Sequence, residues 1–163
     1  MKNVTAEHDI ACSPETFWKL FFDKAFNDEL YLKVLKCDHF EILEQSDRTR
    51  RLRVSPKVSV PGPLKKLMGD GFSYEEVGTF DQAKSTWSYE VLPDTLKNKL
   101  TNKGTVRCVP AGDGKCKRLD DMVIEAKVFG VGGLIESTTE KQVREAWDLA
   151  SSFTNEWVAK HGE

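Results

Sequence analysis

The last stretch of the chain, Gly132 to His161, limits most strongly what this sequence can fold into. No Pro or Gly interrupts it from Leu134 to His161. Val143, Ala146, Trp147, Ala150, Phe153 and Trp157 recur at three- and four-residue spacing, so one helical face is apolar. Glu140, Lys141, Arg144, Glu145, Asp148, Ser151 and Asn155 fall largely on the other face, and Gly162 is a stop signal. At about 1.5 Å per residue, roughly 24 helical residues reach ~36 Å, the width of a small domain. A helix that long, with two Trp and a Phe on one side, needs a broad apolar surface to lie on. The residues upstream read mostly as strand, so the expectation is a curved sheet that grips this helix.

Val4, Ala6, His8, Ile10 and Cys12 alternate with polar neighbours, the period of a half-buried first strand. Ser13-Pro14-Glu15 then opens a helix: a capping hydroxyl, a proline in the first turn and a carboxylate at the positive end of the dipole. A second helical piece runs from about Lys24 to Leu35. Phe40, Ile42 and Glu44 share one face of the next strand, which ends at the turn signal Gln45-Ser46-Asp47. Leu52, Val54, Val58 and Val60 share a phase in the strand after it, and Pro56 there implies an edge position or a bulge. Residues 61–71 read as a long loop. Strands at Phe72–Phe80, Trp87–Val91, Leu100–Val109 and Cys116–Phe129 follow, the last two joined by a hairpin turn at 111–114. The order is β, α, α, about six β, α, an α+β design.

The 163 residues suit a single domain, 1–163, with a core of useful size. A net charge of −2 gives no bulk attraction to nucleic acid or to an anionic membrane. The first ten residues lack the apolar core of a secretory signal, and no run approaches ~20 apolar residues, so a cytoplasmic protein is expected. Cys12, Cys37, Cys108 and Cys116 lack C-x-x-C pairing, which points to reduced thiols rather than a zinc or redox site.

That element order, with a terminal helix after Val-Phe-Gly-Val-Gly-Gly-Leu-Ile-Glu (128–136), resembles the START-like (SRPBCC) superfamily along the whole chain. The resemblance implies a helix-grip fold: a curved antiparallel sheet of about six or seven strands wrapped around a long C-terminal helix, with two short helices after the first strand. The chain looks closest to an uncharacterised bacterial branch, in which a Pro-rich loop of Leu-x-x-Leu-x-Gly character precedes the middle strands and Gly132-Gly133-Leu134-Ile135-Glu136 opens the last helix. Val60-Pro61 to Gly69 also has a weak local likeness to the lid of PRELI-type phospholipid transfer proteins. What the resemblance implies is a hydrophobic cavity between sheet and helix.

A strongly bent sheet and a straight helix cannot touch along their full length, so a hollow remains unless large side chains fill it. Phe72, Tyr74, Trp87, Tyr89, Met122, Ile124, Trp147, Ala150, Phe153 and Trp157 are the candidate lining. The alternative is that the same rings pack into a solid core. His8, Glu76 and Asp120 sit on the apolar phase of their strands, as polar groups in the cavity, as a proton relay, or as internally paired groups. Leu64, Lys65, Lys66, Leu67 and Met68 have the apolar tip and cationic shoulders of a lid suited to transient membrane contact; the alternative is that the leucines fold back on the domain. Arg48, Arg50, Arg51 and Arg53 read as a solvated strand edge rather than a nucleic-acid footprint.

No serine elbow, dinucleotide fingerprint or close metal-ligand spacing is present, so neither a cofactor nor a metal is expected. The function expected is binding, and transfer, of a lipid or other hydrophobic small molecule. Two alternatives stand beside it: a cyclase or dehydratase of the polyketide cyclase type using His8, Glu76 or Asp120, and a filled-core protein-interaction module such as a chaperone cofactor.

Overall fold

In the computed structural model, which describes residues 1–69 and 71–162, the alternating N-terminal residues form β1 (Lys2–Ile10). Then come α1 (Pro14–Phe22), α2 (Lys24–Asp28) and a π-helical segment (Glu29–Val34). The chain continues through β2 (His39–Gln45), β3 (Thr49–Ser55), α3 (Gly62–Met68), β4 (Tyr74–Asp81), β5 (Thr86–Pro93), β6 (Leu100–Pro110), β7 (Cys116–Ala126) and α4 (Gly132–His161). Seven strands make one sheet in the order β1-β7-β6-β5-β4-β3-β2, antiparallel throughout. Residues from different strands meet in register. Arg50, Gly78, Tyr89, Gly104, Met122 and Val4 form one continuous row across the sheet.

The caps explain the helix starts. The Ser13 hydroxyl accepts from Thr16 N at 3.2 Å, and Asp23 accepts from Phe26 N at 2.8 Å. The helix expected over Lys24–Leu35 changes type at Glu29, where wider turns such as Leu35 N to Leu30 O (2.8 Å) take over. Tyr31 leaves this segment stacked flat on Phe40, 4.2 Å between ring centres.

Several expectations are corrected. Val58 and Val60 are not in the strand, because β3 stops at Ser55 and Pro56, which has no N–H for a ladder, comes next. The arginine run is not at a sheet edge, since β3 lies between β2 and β4. A bulge between Ile42 and Glu44 breaks their shared phase and leaves Glu44 exposed. Residues 62–68 are helical rather than loop, with Leu64 only 2% exposed; Asp70 of the expected loop lies outside the described residues.

The long helix is anchored by its polar face as much as by its apolar one. Arg144 Nη1 donates to Thr5 O (2.9 Å), Asn155 donates to Asp9 O (3.0 Å) and accepts from Ala11 N (2.8 Å). His8 meets Asp148 at 2.7 Å and Lys2 meets Glu140 at 2.8 Å. These side chains cover the open backbone of β1, an edge strand that would otherwise template another strand. Glu136 ties the N-terminus to the end of β7: it accepts from Ala126 N and pairs with the Met1 ammonium, both at 3.0 Å. Ser151, assigned by spacing to the solvent face, is buried. On the apolar face Trp147 joins the core cluster of Val4, Met122 and Ile124, whereas Phe153 meets Phe26 of α2 tilted and Trp157 meets it edge-on.

Gly78 in the middle of β4 is required by close packing. A Cβ there would collide with the Trp87 ring and the Ser88 carbonyl. Gly78→Ala should therefore cost ~1–3 kcal/mol, as overpacking of a filled interior does. Urea denaturation followed by tryptophan fluorescence measures it, and an unchanged midpoint would show that the indole has room to move.

Candidate functional site

α4 meets the sheet mainly through β1 and β7, and its far half meets the π-helical segment. The inner face of the middle strands is thus not covered by this helix. Between them lies a pocket of about 330 Å³. Its wall comes from α1 and α2 (Phe17, Leu20, Phe21, Phe26), the π-helical segment (Leu30, Tyr31), the strands (Trp87, Tyr89, Val91, Met122) and α4 (Val143, Ala146, Trp147, Ala150). The lining residues that also face solvent, Lys57, Glu145 and Leu149, mark its mouth. A smaller hollow of about 60 Å³ adjoins it under α3, sharing Val58, Phe72, Asn102, Thr139 and Gln142.

One side of the pocket is polar. Arg50, 3% exposed, is enclosed by the rings of Phe21, Trp87 and Phe22 at 4.6, 5.1 and 5.3 Å from its guanidinium carbon. Its Nη1 donates to Phe21 O at 2.6 Å, and its Nη2 stands 3.8 Å from Glu76 Oε1. Arg118 also lines the pocket, and its Nε and Nη2 grip Asp120 at 2.8 and 3.0 Å. Burial opposes the Arg118 charge, and the opposed Asp120 carboxylate more than offsets that.

Burial raises the Glu76 pKa, with Arg50 the main group pulling it back down. Trp87 Nε1 lies near enough to favour the Glu76 charge but closes no hydrogen bond among the described residues. Burial also holds the Tyr31, Tyr74 and Tyr89 phenols neutral, and lifts the Cys37 thiol to about 11. The wall therefore offers two guanidinium groups, an acid that keeps its proton more readily than usual, and three neutral phenols. Such a wall can hold an oxygen-bearing group, and Glu76 can give or take a proton.

Of the residues singled out from the sequence, Phe72, Tyr74, Trp87, Tyr89, Met122, Trp147, Ala150 and Glu76 lie on the pocket wall. Ile124 is sealed in the core beside it, and Phe153 and Trp157 pack on α2 beyond its end. His8, Glu76 and Asp120 are not brought together: His8 faces Asp148 on α4 and Asp120 is committed to Arg118. Leu64 faces inward at the smaller hollow with Met68, while Lys65, Lys66 and Leu67 are exposed. Sequence reasoning missed Arg50, Arg118 and Tyr31. For Arg50 one signal was available, its shared phase with Leu52 and Val54.

Sheet, gripping helix and intervening pocket make up a helix-grip fold of the START-like kind. Over residues 5–158 the chain matches the family described as "Protein of unknown function (DUF2505)", and it belongs to that family. Among curated proteins none matches it. Its fold is similar to a protein from Thermus thermophilus (TM-score 0.72, 20% identity, 99% of this chain and 100% of that one). It is likewise similar to the Zhui aromatase/cyclase of Streptomyces sp. R1128 (0.70, 12%, 99% and 96%). A START superfamily protein from Mycobacterium smegmatis also shares the fold (0.61, 15%, 92% and 97%). No helix among the described residues is long and apolar enough to cross a membrane.

Because the folded protein holds the Glu76 proton more tightly than the unfolded chain does, the Glu76 contribution to stability is fully present below the ordinary value of 4.5. It declines as pH climbs from there towards the raised folded value, since unfolding then releases a proton. Glu76→Gln should remove this decline. The gap in urea midpoint between variant and wild type should widen in the variant's favour from about pH 4.5 towards neutrality; a constant gap would place the Glu76 carboxylate in a water-like setting.

Proposed function

We propose that this protein binds a small hydrophobic molecule in the pocket between sheet and α4, and carries it. The observation that carries this reading is the pocket itself, about 330 Å³ with aromatic and aliphatic walls and one polar side. Cavities of ~150 Å³ hold benzene, and small-molecule sites start near ~300 Å³. The size therefore suits a single-chain lipid or a two-ring compound rather than a two-chain phospholipid. Phe72, Tyr74, Trp87, Tyr89, Met122, Trp147 and Ala150 are the proposed contacts, with Glu76 at the polar side. In this reading α3 is a lid that swings off the smaller hollow to open the way in, presenting Leu67, Lys65 and Lys66 to a bilayer during exchange. The cytoplasm is the proposed setting, where a buried thiol such as Cys108 stays reduced.

A second reading, an enzyme of the cyclase type, is favoured by one observation: Glu76 borders the pocket with a raised pKa, as a general acid needs. Catalysis would have to run without His8 and Asp120, which point elsewhere.

The neutral dye N-phenyl-1-naphthylamine should bind wild type saturably, near one per chain. Ala146→Phe, which fills the pocket from α4, should weaken binding by at least about tenfold while circular dichroism stays native. Wild type that takes up neither the dye nor any single-chain lipid, the latter scored by native mass spectrometry, would end the proposal.

A further inference from the structure

We infer that the ligand is an acid: an aromatic or single-chain carboxylic acid whose carboxylate sits on Arg50 at the polar side of the pocket, with Glu76 taking up one proton as it binds. This rests on the pocket being a ligand site, and adds the chemical class of the ligand and the group that recognises it.

The two guanidinium groups of the pocket are not in the same condition. Arg118 is spent, since two of its nitrogens hold both oxygens of Asp120. Arg50 is not. Its Nη1 is used on a neutral carbonyl, and its nearest carboxylate is 3.8 Å away, beyond a hydrogen bond. Its Nε, fully buried, has no partner among the described residues. A guanidinium enclosed by three aromatic rings with a donor left over lacks a hydrogen-bonded counter-charge. Burying a charge in that state is costly unless something pairs with it. A carboxylate is the group whose geometry matches the guanidinium fork, and the rest of the pocket asks for an apolar body behind it.

Glu76 decides what happens to protons. A second carboxylate beside it cannot share the site while both are charged. The incoming acid therefore enters ionised, and Glu76 accepts one proton from solvent and donates a hydrogen bond to the new carboxylate. No covalent bond changes. The groups facing Glu76 allow this. Arg50 comes from β3, Arg118 from β7, Trp87 and Tyr89 from β5 and Tyr74 from its own strand. Tyr31 faces it from the π-helical segment, Cys37 lines the same pocket, and Lys57 and, from α4, Glu145 stand at the mouth. The phenols and the thiol stay neutral, Arg118 with Asp120 forms a balanced pair, and Lys57 and Glu145 are exposed to solvent, so among the described residues the buried Glu76 carboxyl is the group placed to adjust.

The test is a matched pair of two-ring probes, 2-naphthoate and 2-naphthylmethanol, titrated calorimetrically in buffers of different ionisation enthalpy. Naphthoate should bind wild type at least about tenfold more tightly, the worth of one charge-assisted hydrogen bond. Its proton uptake should grow as pH rises above the raised Glu76 value, with affinity falling as pH rises. Arg50→Met should erase the preference for the acid, and Glu76→Gln should erase the proton uptake. The second variant keeps the test decisive where the first does not fold. Equal binding of both probes to wild type, or an acid preference that survives in folded Arg50→Met, would overturn the inference and leave the pocket a site for neutral ligands. Binding of neither probe by wild type that still takes up the neutral dye would overturn the inference and leave the proposed function standing.

Discussion

Everything in this structure follows from how α4 is held. Its polar side chains reach over the open edge of β1 through Arg144, Asn155, Asp148 and Glu140, while its first turns are tied down where Glu136 meets Ala126 and the N-terminal amine. Edge strands need such a cover, because unpaired backbone groups recruit other strands. Once a straight rod is committed to one edge of a curved sheet, it cannot also lie on the middle strands. Phe153 and Trp157 then have no sheet beneath them, and α2 meets them instead. The uncovered inner face of the middle strands is left to the rings of α1 and to the pocket.

The rings of α1 do two jobs there. Phe21 and Phe22 close one end of the sheet against Trp87, and together with that indole they enclose the Arg50 guanidinium. Two glycines in the row that contains Arg50 make this geometry feasible. Gly78 lets the Trp87 indole lie flat across β4, and the Tyr89 hydroxyl lies over Gly104, 3.1 Å from where a Cβ would stand. A side chain at position 78 would push the indole off the strand into the space that is now open, whereas one at 104 would first meet the Asp121 carbonyl of β7. Small residues at the sheet surface and large ones over them thus set the depth of the pocket.

Buried ion pairs contribute little net stability, because desolvation opposes the attraction between the charges. Arg118 with Asp120 meets the geometric conditions under which such a pair is tolerated. Arg50 with Glu76 meets them less well, at a longer distance and with an acid whose proton affinity is raised. Imperfect pairing inside a pocket is a common mark of functional rather than structural chemistry, since a protein selected only for stability would replace such a pair with apolar residues.

The sequence by itself determined the architecture. Period-two alternation in strands such as Trp87–Val91, and the unbroken three-four spacing of 134–161, left few ways to bury the apolar surface, and the sheet and gripping helix follow from them. Local chemistry also settled the caps at Ser13 and the hairpin at 111–114. What alternation could not convey was which inward-facing residues end up beside open space. Ile124, Phe153 and Trp157 have the same periodic signature as Met122, Trp147 and Ala150, yet the first three pack on neighbours distant in the chain and lie off the pocket wall. Phase did set Arg50 apart from Arg51 and Arg53, which pair with Glu75 and Asp94, but it could not show what would surround the Arg50 charge. A charge becomes a buried charge only when Phe21 and Trp87, from remote parts of the chain, close over it. Periodicity is a property of neighbours in sequence, whereas burial and pairing depend on residues that meet only once the sheet has bent around the helix.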